Sequence, residues 1–382
     1  MEWPVVRLGE VISHRKEFIE IAPDEIYARC RVQTSARGIV LRDRVSGAEI
    51  KTKKQQVCRA GEFLVAEIDA KLGGYGIVPD DLEGAIVSSH YFLFEIDDSR
   101  MLRRYLDWYS RTPAFLEQVQ ARGSTNYAAI RPGNVLDYVV PLPPLDEQRR
   151  IVARLDRVAA MVEARRREVA AADAEMQALL SKAFARAIDG APRRPMAEVA
   201  PLVRRPVEIE PDHEYTEIGV RSFYNGIFHR RKILGSEFSW QELFWIKEGD
   251  IVFSNLMAWE QAIAVAGPED DGKVGNHRML TCEVDPAIAT PSFLMAYFRT
   301  PEGFANVVGL SPGSIARNKT LSSKKLPTIQ VPVPPLETQR WFDRLQAKVR
   351  HTRTIRNGTA ADIDALIPAM LHEVFTGKAQ AA

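Results

Sequence analysis

The nonapeptide Pro141-Leu-Pro-Pro-Leu-Asp-Glu-Gln-Arg149 returns as Pro332-Val-Pro-Pro-Leu-Glu-Thr-Gln-Arg340. Proline suits a helix start and disrupts a helix interior, so each copy marks where irregular chain gives way to helix. A recurrence near half of the 382-residue length means one module used twice. Two similar but non-identical modules on a shared frame suit a protein that reads two different things at a fixed separation.

Upstream of these segments the copies stay in step. Asp24 matches Asp212, Tyr27 matches Tyr215 and Val32 matches Val220, always 188 positions on. Gly38-Ile39 matches Gly226-Ile227, Gly61 matches Gly249, and Arg111-Thr112-Pro113 matches Arg299-Thr300-Pro301. The offset becomes 191 at the proline segment and 187 where Leu179 and Gly190 match Leu366 and Gly377. The second helix is thus expected to be four residues shorter, close to one turn of ~3.6 residues.

Inside each module, β-rich apolar runs over 62–67 and 91–96 recur at 250–254 and 279–284, and short helices are expected near 101–111 and 291–299. Downstream, 146–188 contains neither Gly nor Pro, and Gly190 follows. Ile151, Leu155, Val158, Val162, Val169, Ala172, Met176, Leu179 and Ala183 form a heptad seam. The copy over 337–375 carries Gly358 and Pro368, which predict a break or kink. A long amphipathic helix needs a partner for its stripe, and its own copy is the nearest one. The expected fold is α+β, with two similar α+β domains separated by two long helices packed as an antiparallel coiled coil with pseudo-two-fold symmetry. The expected boundaries are 1–145, 146–190, 191–336 and 337–382.

Apolar residues make up 46% and charged residues 26%, as in ordinary globular proteins. Cys30, Cys58 and Cys282 form no CxxC pair, which argues against a structural zinc or a disulfide framework and for a reducing, cytoplasmic setting. No signal peptide is expected from the first residues, and no apolar run approaches the ~20 residues of a membrane span. The net charge of +1 leaves nucleic-acid binding to local basic clusters. Three stand out: Lys51, Lys53, Lys54 and Arg59; His229, Arg230, Arg231 and Lys232; and Arg317 with Lys319. Each taken alone reads as a solvated loop.

Catalytic motifs fail on inspection. Gly267-Pro-Glu-Asp-Asp-Gly-Lys273 imitates a phosphate loop but lacks the Ser or Thr that would hold magnesium and is acidic where phosphate would sit. His213-Glu214 and His372-Glu373 lack a second zinc-ligating His, and Ser89-His90 has no glycine elbow. No Asn/Asp-Pro-Pro-aromatic segment or glycine-rich cofactor loop is present, so a non-catalytic protein is expected.

The duplicated segment leading into a long helix resembles the DNA specificity (S) subunit of type I restriction–modification systems. The helix ends, Ala178-Leu-Leu-Ser-Lys-Ala-Phe184 and Ala365-Leu-Ile-Pro-Ala-Met-Leu371, carry the same resemblance, as does the polar loop over 123–131. Thr338, where the first copy has Glu147, and Gly358 depart from it. The resemblance implies two target-recognition domains, each reading one half of a bipartite, asymmetric site in double-stranded DNA. It implies helices that measure the spacer between the halves. It implies two adenine-N6 methyltransferase (modification) subunits that hold S-adenosylmethionine, and restriction/motor subunits that join them. This chain would hold no cofactor and no metal.

Base edges are read by side chains with fixed donor and acceptor patterns, and phosphates mainly by Lys and Arg. The loop before the first proline segment offers Ser124, Thr125, Asn126, Tyr127 and Arg131, and its counterpart offers Ser314, Arg317, Asn318, Lys319 and Thr320. Phosphate contacts are expected from Lys51, Lys53 and Lys54 in the first module and from Arg230, Arg231 and Lys232 in the second. Partner contacts are expected from Pro144, Leu145 and Gln148, and from Pro335, Leu336 and Gln339. The competing reading is a coiled-coil adaptor whose globular modules bind proteins.

Overall fold

A computed structural model of the chain describes residues 3–121, 129–238, 242–313 and 319–376. The chain forms two compact units, one of Met1–Val169 with Asn357–Ala382 and one of Ala170–Arg356. Each unit therefore combines a module with part of each long helix.

In the first unit a four-stranded antiparallel sheet has the order Ile12–Arg15, Tyr91–Ile96, Phe63–Ala66, Tyr75–Ile77. A five-stranded sheet runs Phe18–Glu20, Lys54–Val57, Ile86–Val87, Ile26–Val32, Ile39–Ser46. Val5–Arg7 pairs with Val139–Pro141. The second unit has the same plan without the edge strand that would match Phe18–Glu20, where a single Pro206–Phe244 bridge stands instead. Its four-stranded sheet runs Leu202–Val203, Met279–Cys282, Ile251–Ser254, Ile263–Val265. Its other sheet runs Leu243–Trp245, Val274–Asn276, Glu214–Val220, Ile227–Leu234. Arg193–Pro195 pairs with Gln330–Pro332. Even a parallel bridge recurs 188 positions on, Arg29 with Ile86 and Glu217 with Val274.

The central strands explain why the apolar runs do not alternate. All four residues of Phe63–Ala66 are buried. Phe63 and Val65 enter one core, while Leu64 and Ala66 enter another on the opposite face of the sheet. A strand covered on both faces reads as a continuous apolar run. Ile251 and Phe253 separate from Val252 in the same way. Each central strand begins beside a buried carboxylate matched to an arginine. Glu62 Oε2 accepts from Arg15 Nη2 at 2.8 Å, and Asp250 Oδ2 from Arg205 Nη1 at 2.6 Å.

Two consecutive left-handed residues turn the chain in each module, Ser35-Ala36 (φ 62° and 51°) and Phe223-Tyr224 (φ 60° and 56°). The amides of Ala36 and Tyr224 bond the carbonyls of Gly73 and Gln261 at 2.9 Å. Those acceptors are also left-handed, at φ 79° and 66°. Glycine adopts that conformation freely and glutamine does not, so the backbone geometry persists even where the residue best suited to it is missing.

The first long helix is Leu145–Ile188 and the second is Leu336–Thr376. The expected break in the second does not occur: the helix runs on through Gly358 and contains Pro368. An internal proline costs about 3 kcal/mol, and here Leu371, Val374 and Phe375 are buried in the turns that follow, with Ile367 and Met370 packed against the same core. Among the described residues the second helix covers 41 positions against 44 in the first.

The heptad seam also needs correction. Leu179 is 52% exposed and Leu366 46% exposed, while Phe184 and Ala187, and Leu371 and Val374, are buried. A helix of ~3.6 residues per turn drifts ~20° per heptad against a ~3.5 repeat, so the buried stripe leaves the seam near the helix ends. In the first unit Arg166 Nη2 pairs with Asp364 at 2.6 Å and Arg154 Nη2 with Glu373 at 3.3 Å. In the second, Arg353 Nε lies 3.3 Å from Asp173, and Phe184 packs on Phe293 and Phe342 at 5.0 and 5.1 Å between ring centroids. Among the described residues no helix is long and apolar enough to cross a membrane.

Candidate nucleic-acid interface

The two proline segments share one pattern of exposure: Pro144 and Pro335 are exposed, Leu145 and Leu336 half-buried, Gln148 and Gln339 buried. The expectation of partner contact fails for the two glutamines, which are 0% exposed. A side chain without accessible surface has nothing to offer a docking protein. Gln148 instead accepts from the Leu102 amide at 2.8 Å and donates to the carbonyls of Arg100 and Pro143 at 2.9 Å. Gln339 accepts from the Thr290 amide at 3.0 Å and donates to Ile288 and Pro334 at 3.0 and 2.8 Å. These amides fasten the start of each long helix to the short helices Arg103–Ser110 and Pro291–Phe298.

The first basic cluster leads into the strand Lys54–Val57, and the second lies on the strand Ile227–Leu234. Lys51, Lys53 and Lys54 are exposed. Lys53 Nζ donates to the Gly47 carbonyl at 2.6 Å, and Lys54 Nζ stands 5.2 Å from the Phe18 ring centroid. Arg230, Arg231 and Lys232 project from the strand Ile227–Leu234. Each faces a carboxylate: Glu217 at 3.9 Å, Glu237 at 3.8 Å and Glu214 at 3.3 Å. His229 bonds the buried Asp270 at 2.7 Å, so the phosphate-loop look-alike is a turn that anchors this strand.

Of the polar loop residues, Ser124, Thr125, Asn126, Tyr127, Ser314, Arg317 and Asn318 lie outside the described residues. Arg131, Lys319 and Thr320 lie within them. Arg131 Nη1 donates to Glu67 Oε1 at 2.7 Å, and Lys319 Nζ lies 4.9 Å from the Trp259 ring centroid. Thr320 is exposed.

Both loop ends meet the same backbone frame. In the first unit the Glu67 amide donates to the His90 carbonyl at 2.8 Å and the Ile130 amide to the Glu67 carbonyl at 3.0 Å. In the second the Asn255 amide donates to Arg278 at 2.9 Å and the Leu321 amide to Asn255 at 2.7 Å. Residues 67 and 255 each follow a central strand directly. The side chains on this frame differ. Glu67 bonds His90 Nδ1 at 2.7 Å as well as Arg131. Asn255 has a buried Oδ1 with no hydrogen-bond partner among the described residues.

Sequence reasoning did not single out Glu67, Asn255, Arg278 or Trp259, and it met His90 only in a failed catalytic motif. The signal was available: positions 67 and 255, and 90 and 278, are matched pairs flanking matched strands, yet their chemistry differs.

Residues 1–170 match the family described as the type I restriction modification DNA specificity domain. A solved structure from work on complex assembly and conformational transition of the type I R-M system matches with a TM-score of 0.70 and 21% identity. The match covers 99% of this chain and 98% of the other. The HsdS subunit from Thermoanaerobacter tengcongensis matches with a TM-score of 0.55 and 22% identity, over 99% and 97% of the two chains. These likenesses show a common fold. No curated protein matches the chain in sequence.

Proposed function

We propose that this chain, whose first 170 residues are similar to the type I restriction modification DNA specificity domain, is the DNA-recognition subunit of a type I restriction–modification complex. The observation that carries the reading is the repetition of one strand order in two modules whose polar groups differ at matching positions. One frame used twice with different surface chemistry suits a bipartite, asymmetric DNA site. Phosphate contacts fix register and base contacts specify sequence. Lys51 and Lys54 are suited to the first role, and Arg131 and Lys319, at the ends of the polar loops, to the second.

Descending ion pairs, with Arg154 to Glu373 and Arg166 to Asp364, support long helices packed as an antiparallel coiled coil with pseudo-two-fold symmetry. In this reading helix length sets the spacer between half-sites. Pro144, Leu145, Pro335 and Leu336 keep accessible surface for the methyltransferase subunits, which carry S-adenosylmethionine and transfer the methyl group to adenine N6. Restriction/motor subunits join that assembly. The chain itself is non-catalytic and acts in the cytoplasm.

The test is reconstitution with methyltransferase subunits of a type I system, followed by sequencing that detects N6-methyladenine. A bipartite motif that requires this chain is expected. Methylation independent of the chain, or an assembled complex that binds no DNA, overturns the proposal and favours a protein-binding adaptor. Replacing Lys51 and Lys54 with Ala should weaken binding to all sequences and lower the salt slope by about 2, near 0.9 for each phosphate no longer neutralised.

A further inference from the structure

We infer that Arg131 in the first module and Arg278 in the second are guanine-reading residues, reaching the DNA from different segments of one shared three-segment frame. The inference rests on the proposed DNA-recognition function and names the groups that make the half-sites differ.

Three segments meet in each module: the residue after the central strand, the residue before the next strand, and the chain leaving the polar loop. Their backbone bonds are the same in both. Any group fixed to this frame is presented with similar geometry, so a difference in preference must come from side chains. Along the three segments the first module has Glu67, His90 and Arg131, and the second has Asn255, Arg278 and Ser322. The arginine has moved from the third segment to the second. Two modules built this way would meet a guanine at different places in their half-sites.

Both arginines have rigid roots and accessible heads. The Arg131 amide donates to Asn134 Oδ1 at 2.9 Å, and Pro132 opens the next short helix. Its side chain is 70% exposed, while that of its partner Glu67 is only 11% exposed. Glu67 engages Nη1 and leaves the remaining guanidinium donors without a partner among the described residues. The Arg278 amide donates to Asn276 Oδ1 at 2.9 Å, and its exposed side chain has no partner among the described residues. A guanidinium with free adjacent donors matches the O6 and N7 acceptors of guanine in the major groove. Solvated arginine heads are common on surfaces; here they stand on a frame built twice, Arg131 where the chain leaves its polar loop and Arg278 on the adjoining segment. Exposed apolar side chains lie nearby in sequence, Ile68 at 70% and Leu72 at 62% in the first module and Met257 at 37% in the second. Apolar groups beside a base-reading arginine suit contact with a thymine methyl. Glu67 is a positioning residue that aims Arg131. Asn255 offers no charge, so Arg278 is aimed by its backbone alone.

The experiment compares the complete complex carrying the natural chain, Arg131→Lys, Arg278→Lys or Glu67→Gln. Lysine keeps the charge and the phosphate attraction but not the paired donor geometry. Methylation motifs are sequenced, and binding is measured against duplexes altered one base pair at a time. Arg131→Lys should relax one guanine position in one half-site, with discrimination falling roughly 5- to 150-fold there. Arg278→Lys should do the same in the other half-site only. Glu67→Gln should weaken discrimination at the Arg131 position and nowhere else, which a purely structural role would not do. A natural complex without a bipartite motif defeats the proposed function itself. A bipartite motif left unchanged by both lysine variants, or a loss of affinity equal for all sequences, overturns this inference alone.

Discussion

The side chain of Gln148 accepts the backbone amide of Leu102 at 2.8 Å, just ahead of a short helix that has no side-chain cap of its own. Gln148 has no exposed surface, so water has little access to the bond. Replacing Gln148 with Ala leaves that amide and the carbonyls of Arg100 and Pro143 without this partner. Orphaned buried polar groups cost about 1–3 kcal/mol. Gln148→Ala should destabilise the chain by about 2–3 kcal/mol, measured by chemical denaturation. A change below about 0.5 kcal/mol, the usual range of an inert surface substitution, would refute the fastening role.

Phe375 packs its ring 5.6 Å from Tyr105 and 5.3 Å from Tyr109 between centroids, within the first unit. Truncating a core phenylalanine to alanine typically costs about 3–5 kcal/mol. Phe375→Ala should fall in that range, whereas Leu366→Ala, at a half-exposed seam position, should change stability by about 0.5 kcal/mol or less. Thermal melts of both variants decide whether the buried stripe or the heptad seam describes the helix end.

Glu302 pairs with Arg193 at 2.6 Å, and the guanidinium holds its carboxyl below the ordinary carboxylate range. A carboxyl whose pKa is lowered on folding stabilises the protein above its unfolded pKa, and that contribution disappears as pH falls through the folded value. The pair is about half exposed, so its worth is at most about 1 kcal/mol. Glu302→Gln should therefore lower stability slightly near neutral pH and leave it unchanged well below about pH 4. Denaturation at several pH values would expose an effect of opposite sign.

Deleting four residues from each long helix at paired positions removes about 6 Å of helix, against roughly 3.4 Å of rise per base pair. The methylated motif should keep both half-sites and lose one or two base pairs of spacer. A changed half-site sequence would contradict the division of labour between modules and helices.

Much of this fold was legible in the chain because its signals are local. Prolines 143, 144, 334 and 335 mark both helix starts, and the helices begin at Leu145 and Leu336. The 188-residue offset carries over to strands such as Ile26–Val32 and Glu214–Val220, since turns and β-rich runs are fixed by nearby residues. Arg131 was legible as a polar residue at the end of its loop, whereas its partner Glu67 was not, because nothing along the chain links the two.

What the sequence by itself determined was therefore the repeat, the two strand patterns and the helix starts, all of which depend on neighbours along the chain. Tertiary structure alone decided that Gln148 and Gln339 are internal fasteners, because burial depends on residues 46 and 49 positions away. It alone carried the second helix through Pro368, since distant aromatic side chains hold the turns beyond it. It also joined Glu67 to His90 and Arg131, 23 and 64 residues apart, because a hydrogen bond answers to distance in space and not to separation in sequence.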